Sequence, residues 1–326
     1  MHTAVDLFAG PGGLDLAARA NGLDPIGYEI DPDACATRHA AGLPTVEDDV
    51  RKHGPGEHPA ATVLLGGPPC QPFSAAGNGK GRRELDTVLA AVRAMLHTRR
   101  VPAAQWDDPR TGLVLQPLRW ILEAIDTGRP YRTIVLEQVP AVLPVWEAYA
   151  DVLGFERYNV HFGVLRAEEH GVPQTRRRAF LIASLDGRVS LPDPTHRPYV
   201  KGVPQNEGDP TLLPWVSMGD VLSKSGPFTA VSNYGTGGDP KARGRRTSDE
   251  PAFTVTGKIS RVRLVRGDVE LPRFGKAEAG RLQGFPAGFP WRGRDIGKQI
   301  GNACPVQLGT RVIAAALAPS RTAVAA

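Results

Sequence analysis

A cysteine at the exit of a short apolar run is the residue best placed to do chemistry in this chain. Ala61-Thr62-Val63-Leu64-Leu65 has the length and β-branched content of a buried strand. Gly66-Gly67-Pro68-Pro69-Cys70-Gln71-Pro72-Phe73-Ser74 then takes the backbone out of regular pairing. Cys70 is therefore expected on a turn at a sheet edge. A nucleophilic thiol needs such a place: an exposed side chain, a rigid backbone and room for a substrate atom beside the sulfur. The competing reading is a half-buried structural cysteine, the commoner fate of a single Cys. Other residues could bind rather than react. Ala9-Gly10-Pro11-Gly12-Gly13 follows the strand-like Thr3-Ala4-Val5-Asp6-Leu7-Phe8. It lacks the spacing of the dinucleotide fingerprint, yet its glycines let a ligand approach the backbone closely. Glu29 ends the second strand, where a carboxylate can accept both ribose hydroxyls, and Asp49 ends the third, where it can accept from the exocyclic amine of adenine. A nucleoside-containing cofactor follows; the alternative for each acid is a solvated loop carboxylate.

These residues must be held by an α/β framework. Leu14-Asp15-Leu16-Ala17-Ala18-Arg19-Ala20 has helical composition, a strand ends in Ile26 to Asp31, a helix runs from about Pro32 to Ala41, and an acidic strand end covers Val46 to Val50. Beyond the cysteine turn, Gly112 to Asp126 reads as helix and Thr133-Ile134-Val135-Leu136 as a buried strand ending at Glu137. Strands alternating with helices imply a parallel sheet covered on both faces. Ligands of such sheets sit beyond the carboxyl ends of the strands, where Gly10, Glu29, Asp49, Cys70 and Glu137 all fall. From about Asp186 to Lys276 the texture changes to frequent proline, glycine and polar loop. Ala252 to Thr256 and Val262 to Val265 still alternate like strands, which favours a folded loop-rich module over a disordered linker. Arg311 to Leu317 returns to helix.

Composition narrows the class. With 326 residues, 41% of them hydrophobic, the chain can bury a substantial core. Cys35, Cys70 and Cys304 are odd in number and far apart, which argues against a disulfide framework or a Cys-rich zinc site. Neither a signal peptide nor a membrane-length apolar run is evident, so a cytoplasmic protein is expected. The net charge of +5 permits a nucleic-acid partner without demanding one. Distribution says more: Lys80 to Arg83, Arg99-Arg100, Arg176 to Arg178, Lys241 to Arg246 and Lys258 to Arg266 place cations in or beside loops, as a phosphate backbone requires. Each cluster taken singly also reads as solvated surface arginine.

Six ordered segments carry a family resemblance. Asp6 to Gly13, Gly67 to Ser74, Gly171-Val172-Pro173-Gln174-Thr175-Arg176-Arg177-Arg178, Glu250 to Thr256, Arg281 to Pro286 and Ile300-Gly301-Asn302-Ala303-Cys304-Pro305 resemble the motifs of DNA (cytosine-5) methyltransferases. The resemblance implies a Rossmann-like S-adenosylmethionine-dependent methyltransferase sheet with a small loop-rich target-recognition domain. It divides the chain into a catalytic and cofactor-binding domain over 1–185, the recognition domain over 186–276 and a segment, 277–326, that returns to the catalytic domain. A cytosine ring is a poor nucleophile at C5, and addition of the Cys70 thiolate to C6 would make it reactive. By the same resemblance Glu137 holds or protonates ring N3, while Arg178 and Arg176 hold the O2 edge and the adjacent phosphate.

Cofactor contacts carry over to Phe8, Gly10, Gly12, Gly13, Leu14, Glu29, Ile30, Asp49, Val50, Pro69, Asn302 and Ala303. Contacts to double-stranded DNA carry over to Gln71, Ser74, Arg82, Gln174, Arg243, Arg245 and Thr254, with Arg246 and Lys258 also able to reach phosphates. Ser74 to Arg110 would be the mobile loop that closes over a flipped base. The expected protein is a monomer with no membrane partner and no metal, serving a restriction or protection system. Where the family usually has Glu-Asn-Val, this chain has Glu137-Gln138-Val139. Asn there is expected to tie down the cysteine turn, so either the turn shifts to accept the longer Gln or Gln138 touches something else, such as the transferred group. Three other readings are an RNA cytosine-5 methyltransferase, an enzyme using a modified S-adenosylmethionine and a catalytically silent DNA-binding protein. RNA is disfavoured by Pro-Pro-Cys-Gln and the large loop-rich region, silence by the presence of Cys70, Glu137 and Arg178.

Overall fold

The computed structural model describes residues 2–69, 73, 84–222, 224–232 and 243–320. Strand β1 (Ala4–Leu7), helix α1 (Gly13–Ala20), β2 (Pro25–Glu29), α2 (Pro32–Ala40) and β3 (Thr45–Glu47) follow the expected rhythm, and β4 (Val63–Gly66) precedes Cys70 in the chain. Helices α3 (Leu85–Thr98) and α4 (Gln116–Asp126) precede β5 (Thr133–Gln138), and α5 (Leu143–Phe155), β6 (Asn159–Arg166) and β7 (Arg177–Ser184) complete the sheet. Its seven strands lie in the order β3-β2-β1-β4-β5-β7-β6. Pairing is parallel from β3 through β5 and antiparallel at β7. The expectation of a parallel sheet thus holds for β3 through β5 only. A short connection through the 3-10 turn Ala167–His170 returns β7 against β6, whereas a parallel return would need a long crossover.

The central strands are buried along their length, and mostly apolar, because both faces are covered. Val5, Leu7, Leu64, Ile134 and Leu136 point into a core shared with Val92, Trp120, Ile121 and Trp146. Ala4, Val63, Leu65, Val135, Phe180 and Ile182 point the other way, onto Leu14 and Ala17 of α1 and onto Leu308, Val312 and Ile313 of the last helix.

The rest of the chain forms α6 (Met218–Val221), β8 (Thr229–Val231), β9 (Arg245–Thr247), β10 (Arg263–Arg266), β11 (Val269–Leu271), α7 (Lys276–Leu282), α8 (Ile296–Asn302) and α9 (Val306–Leu317). The four strands make a second sheet, β11-β10-β8-β9. A third core joins Met218, Phe228 and Leu264 to Ala279, Leu282, Ile296 and Ile300, so α7 and α8 pack with this smaller sheet while α9 packs on the large one.

Two expectations fail. The stretch read as a mobile loop, Ser74 to Arg110, contains α3, which buries Val88, Ala91, Val92 and Met95 on one face. Ala252 to Thr256 is not a strand: Ala252 donates its N–H to Pro173 and Val255 donates to the side chain of Gln174. Its alternation reflects docking on the loop before β7, with Ala252 and Val255 buried and Thr254 exposed.

Helix α2 begins at Asp31, whose side chain accepts from the N–H of Asp33, with Pro32 in the first helical position. Its Arg38 runs under the sheet edge, donating to both oxygens of Asp15 at 2.7 and 2.9 Å, to the carbonyl of Pro44 at 2.9 Å and to Thr45 at 2.9 Å. Neither member of the pair is exposed. A buried carboxylate that loses its guanidinium keeps its desolvation penalty without the compensating attraction. Arg38→Met is therefore expected to destabilise the fold by about 3–5 kcal/mol, read as a lowered urea midpoint; an unchanged midpoint would remove the pair from the interactions that hold α1 to α2.

Candidate active site

Beyond the carboxyl ends of β1, β2, β4 and β5 lies a cavity of about 340 Å³. It occupies the crevice where the strand order reverses between β1 and β4, the place such sheets reserve for ligands. Phe8, Gly10, Gly13, Leu14, Glu29, Ile30, Asp49, Val50, Pro69, Asn302 and Ala303 all line it, and so do Glu137 and Arg178. Of the sequence-derived cofactor residues only Gly12 does not. At φ 102 it caps α1 and turns the chain, a backbone role rather than a contact. Gly13 is required by approach from the other side: a Cβ there would sit 2.4 Å from the carbonyl oxygen of Cys304. That closeness brings Asn302 and Ala303 to the cavity wall.

Glu29 is fixed before any ligand arrives. One oxygen accepts from Gly10 N–H at 2.7 Å, and the other from Ile30 and Asp31 N–H at 2.8 and 2.7 Å. Three of about four acceptor positions on the carboxylate are thus taken. The expectation that Glu29 accepts both ribose hydroxyls is revised accordingly: in this geometry it has room for one. Asp49 is held differently, by the backbone N–H and guanidinium of its neighbour Arg51. The Arg51 hydrogen bond keeps the Asp49 carboxyl below its usual range. An amine reaching Asp49 must displace Arg51, whose side chain is 58% exposed, so the competing ion pair is weak. Next to it, the Lys52 hydrogen bond holds Asp48 down to about 2, and across the rim Lys298 pairs with Asp31 at 2.7 Å.

The donor set fits a nucleoside bearing a cationic group. Acceptors ring the mouth at Glu29, Asp31, Asp48 and Asp49, while Phe8, Leu14, Val50 and Pro69 give apolar walls. Ile30 stands 64% exposed at the rim, a flat apolar surface for a ring. Gly10 faces open space where a Cβ would intrude. Fully buried Asp6 also borders the cavity; burial first, then the neighbouring Asp15, lift its pKa well above the usual carboxylate range.

At the other end Glu137 closes β5 and is 7% exposed. Arg178, from the start of β7, meets its carboxylate at 2.7 Å. Gln138, also buried, donates to the carbonyl of Pro68 at 2.8 Å and accepts from Val139 N–H at 2.5 Å. It does not line the cavity, so it braces the turn rather than touching a transferred group. Cys70, Gln71, Ser74 and Arg82 lie outside the described residues. On either side of Cys70, Pro69 lines the cavity and Phe73 is buried in the first core. The other two cysteines are unsuited to attack: burial pushes the Cys304 thiol well up, and burial with Glu29 nearby pushes Cys35 to about 12.

Several residues assigned to chemistry or DNA from sequence have other work. Arg176 is 1% exposed and donates to the carbonyls of Val255, Gly301 and Ala303, facing away from the cavity. Gln174 is fully buried, donating to Leu282 and Gln283 and accepting from Val255, so it cannot reach DNA directly. Arg246 is held between the rings of Tyr199 and Phe253, 4.5 and 4.6 Å from their centres, and donates to Pro251 and Ala252. Arg245 and Thr254 are exposed, Arg243 half-buried, and Thr254 donates its hydroxyl proton to Thr175 O at 2.6 Å. Arg110 and Leu113 line the cavity although the sequence reading named neither as a site residue; Gln283, which donates to Ala303, was likewise missed.

The model of the C-5 cytosine-specific DNA methylase family matches residues 2–100 and 107–211. Among curated relatives, the type II methyltransferase M1.HphI of Haemophilus parahaemolyticus is 29% identical over 353 aligned positions, covering 97% of this chain and 86% of that protein. M.NgoBI of Neisseria gonorrhoeae is 27% identical, covering 99% and 96%. Among solved structures, the Dnmt2 methyltransferase of S. pombe superposes with a TM-score of 0.63 at 18% identity, covering 97% of this chain and 98% of that one. A putative DNA modification methyltransferase of an E. coli prophage gives 0.62 at 18% identity, again covering 97% and 98%. The solved structures share the fold, and the family model spans the strands of the large sheet: this chain belongs to the C-5 cytosine-specific DNA methylases.

Proposed function

We propose that the protein methylates C5 of a flipped-out cytosine within a specific duplex DNA sequence, with Cys70 as the nucleophile. The observation that carries this reading is one continuous cavity bordered at one end by Glu29 and Asp49 and at the other by the Glu137–Arg178 pair, with Pro69 between them. In that arrangement Glu29 would hold a ribose hydroxyl, Ile30 and Val50 the adenine ring, and Asn302 and Ala303 the far wall. When bound, S-adenosylmethionine supplies an electrophilic methyl group. The target cytosine must leave the base stack to reach the pocket. The Cys70 sulfur forms a bond to C6, and Glu137, oriented by Arg178, holds or protonates N3, so that electron density gathers on C5. After methylation, loss of the C5 proton breaks the sulfur bond at C6 and restores the ring.

Recognition of the sequence belongs, in this proposal, to residues 186–276, leaving 1–185 to catalysis; within 277–326, α9 rejoins the catalytic domain while α7 and α8 support the recognition sheet. Arg243, Arg245, Lys258 and Thr254 are its candidate DNA contacts. Among the described residues no helix is long and apolar enough to cross a membrane; a cytoplasmic monomer working on DNA completes the reading.

Cys70→Ala should abolish methyl transfer while leaving DNA and cofactor binding measurable, and duplex DNA carrying 5-fluorocytosine should become covalently trapped on Cys70. Residual turnover in a tritium-transfer assay, or no adduct with active enzyme, would sink the covalent route. Glu137→Gln keeps the shape without the charge and should lower turnover by roughly two to four orders of magnitude. A loss below about threefold would move that role elsewhere.

Gln138→Asn is one methylene too short to span Pro68 and Val139 together. It should slow turnover while mass spectrometry still finds 5-methylcytosine as the product. A changed product or cofactor preference would mean that Gln138 touches the reacting groups after all.

A further inference from the structure

A second cavity, of about 400 Å³, opens on the far side of the loop that precedes β7. His170, His196, Gln307, Thr310 and Arg311 line it, and none of them borders the catalytic cavity. His170 is 2% exposed, yet neither ring nitrogen has a hydrogen-bond partner. Buried polar groups are nearly always paired, so a histidine in the wall of a cleft with both nitrogens unpaired points to something that binds there. The ring of His196 packs against the same turn, 2.9 Å from where a Cβ on Gly171 would stand. Its Nδ1 is engaged by the hydroxyl of Thr195 at 2.9 Å, which leaves Nε2 without a partner among the described residues.

The charge around this cleft has one sign. Arg311 is exposed and makes no ion pair among the described residues, and no carboxylate lines the cavity. The two acids just before His170 in the chain are directed elsewhere: Glu168 accepts from the N–H of Arg176, and Glu169 lies 3.9 Å from Arg166. Val306 and Gln307 belong to the first turn of α9, a twelve-residue helix whose N-terminal dipole adds partial positive charge. Burial first, and then Arg311 and His196, push His170 down to about 4, so its ring is neutral at pH 7 and offers one donor and one acceptor. A divalent metal would be repelled by Arg311 and would find no acidic ligand. A partly protonated oxyanion matches both the positive field and the mixed donor and acceptor of His170.

We propose that His170, His196 and Arg311 form a binding site for a phosphate-type oxyanion, separate from the methyl-transfer site. The phosphate group could be free or part of a nucleic-acid backbone, and the two sources separate experimentally. The full chain, with its histidines labelled at Cε1, is titrated with sodium phosphate against sodium chloride at matched ionic strength. His170→Asn and His196→Asn spectra assign the resonances. Saturable shifts of the His170 and His196 signals are expected with phosphate and not with chloride, and Arg311→Gln should weaken the apparent affinity by about tenfold or more. A duplex DNA arm then identifies the source. If DNA moves the same signals and Arg311→Gln lowers the salt slope of DNA binding by about one, the ligand is a backbone phosphate. If DNA leaves them in place while phosphate saturates them, the ligand is a free oxyanion. Shifts that rise linearly with phosphate, appear equally with chloride or survive Arg311→Gln unchanged would overturn the site.

Discussion

The guanidinium of Arg176 reaches the carbonyls of Val255, Gly301 and Ala303 at 2.7, 2.7 and 3.3 Å, and the shape of the catalytic cavity depends on that junction. Its three acceptors come from two distant segments: Val255 belongs to the stretch that docks beside β7, while Gly301 lies in the last turn of α8 and Ala303 caps it. Gln174 and Gln283 extend the contact, Gln174 by donating to Leu282 O and Gln283 by donating to Ala303 O. A charge in so dry a place is tolerated only while its acceptors stay in position. The end of α8 with Asn302 and Ala303 and the loop carrying Thr254 and Val255 therefore share one fixed cation, and neither can move far without leaving it unsolvated. Lysine could not substitute, since a single ammonium cannot span three carbonyls in the directions that a planar guanidinium fork serves.

That junction also shows where sequence reasoning stops. Arg176 and Arg178 are two residues apart in one basic run, and both were assigned to the substrate. The structure sends one into a polar knot and the other to Glu137 at 2.7 Å. Composition treats arginine as a surface or ligand residue because burial is unfavourable unless acceptors surround it, and acceptors from residues 255, 301 and 303 are invisible until the chain has folded. Gln174 misled for the same reason. The strands fared better because burial on both faces writes itself locally, as four or more apolar residues bounded by glycine or a charged end. Helix α3 was legible but missed: Val88, Ala91, Val92 and Met95 have the i, i+3, i+4, i+7 spacing of one helix face, and the glycine-rich basic stretch before them drew the boundary too far. The antiparallel β7 carried no such local sign, since pairing direction is set by the length of the connection and not by the strand.

The acids around the cavity mouth look alike in sequence and differ in how they are held. Asp49 and Asp48 are paired with flexible cations near solvent, Arg51 and Lys52, whose own side chains are mostly exposed. Such pairs contribute little and exchange readily, so a ligand amine competes with them at small expense. Glu29 is different. Its three partners are backbone N–H groups of Gly10, Ile30 and Asp31, which the glycine turn and the start of α2 hold in place whether or not anything is bound. A carboxylate fixed in this way loses no side-chain freedom on binding and presents its remaining lone pair in one direction. The glycine turn thus has two functions at once: Gly10 leaves space for a ligand and aims the acid that would hold it. The order of preorganisation runs from Glu29, locked by the fold, to Asp49, which must exchange one partner for another, and that order follows from whether the competing donor is main chain or a solvent-exposed side chain.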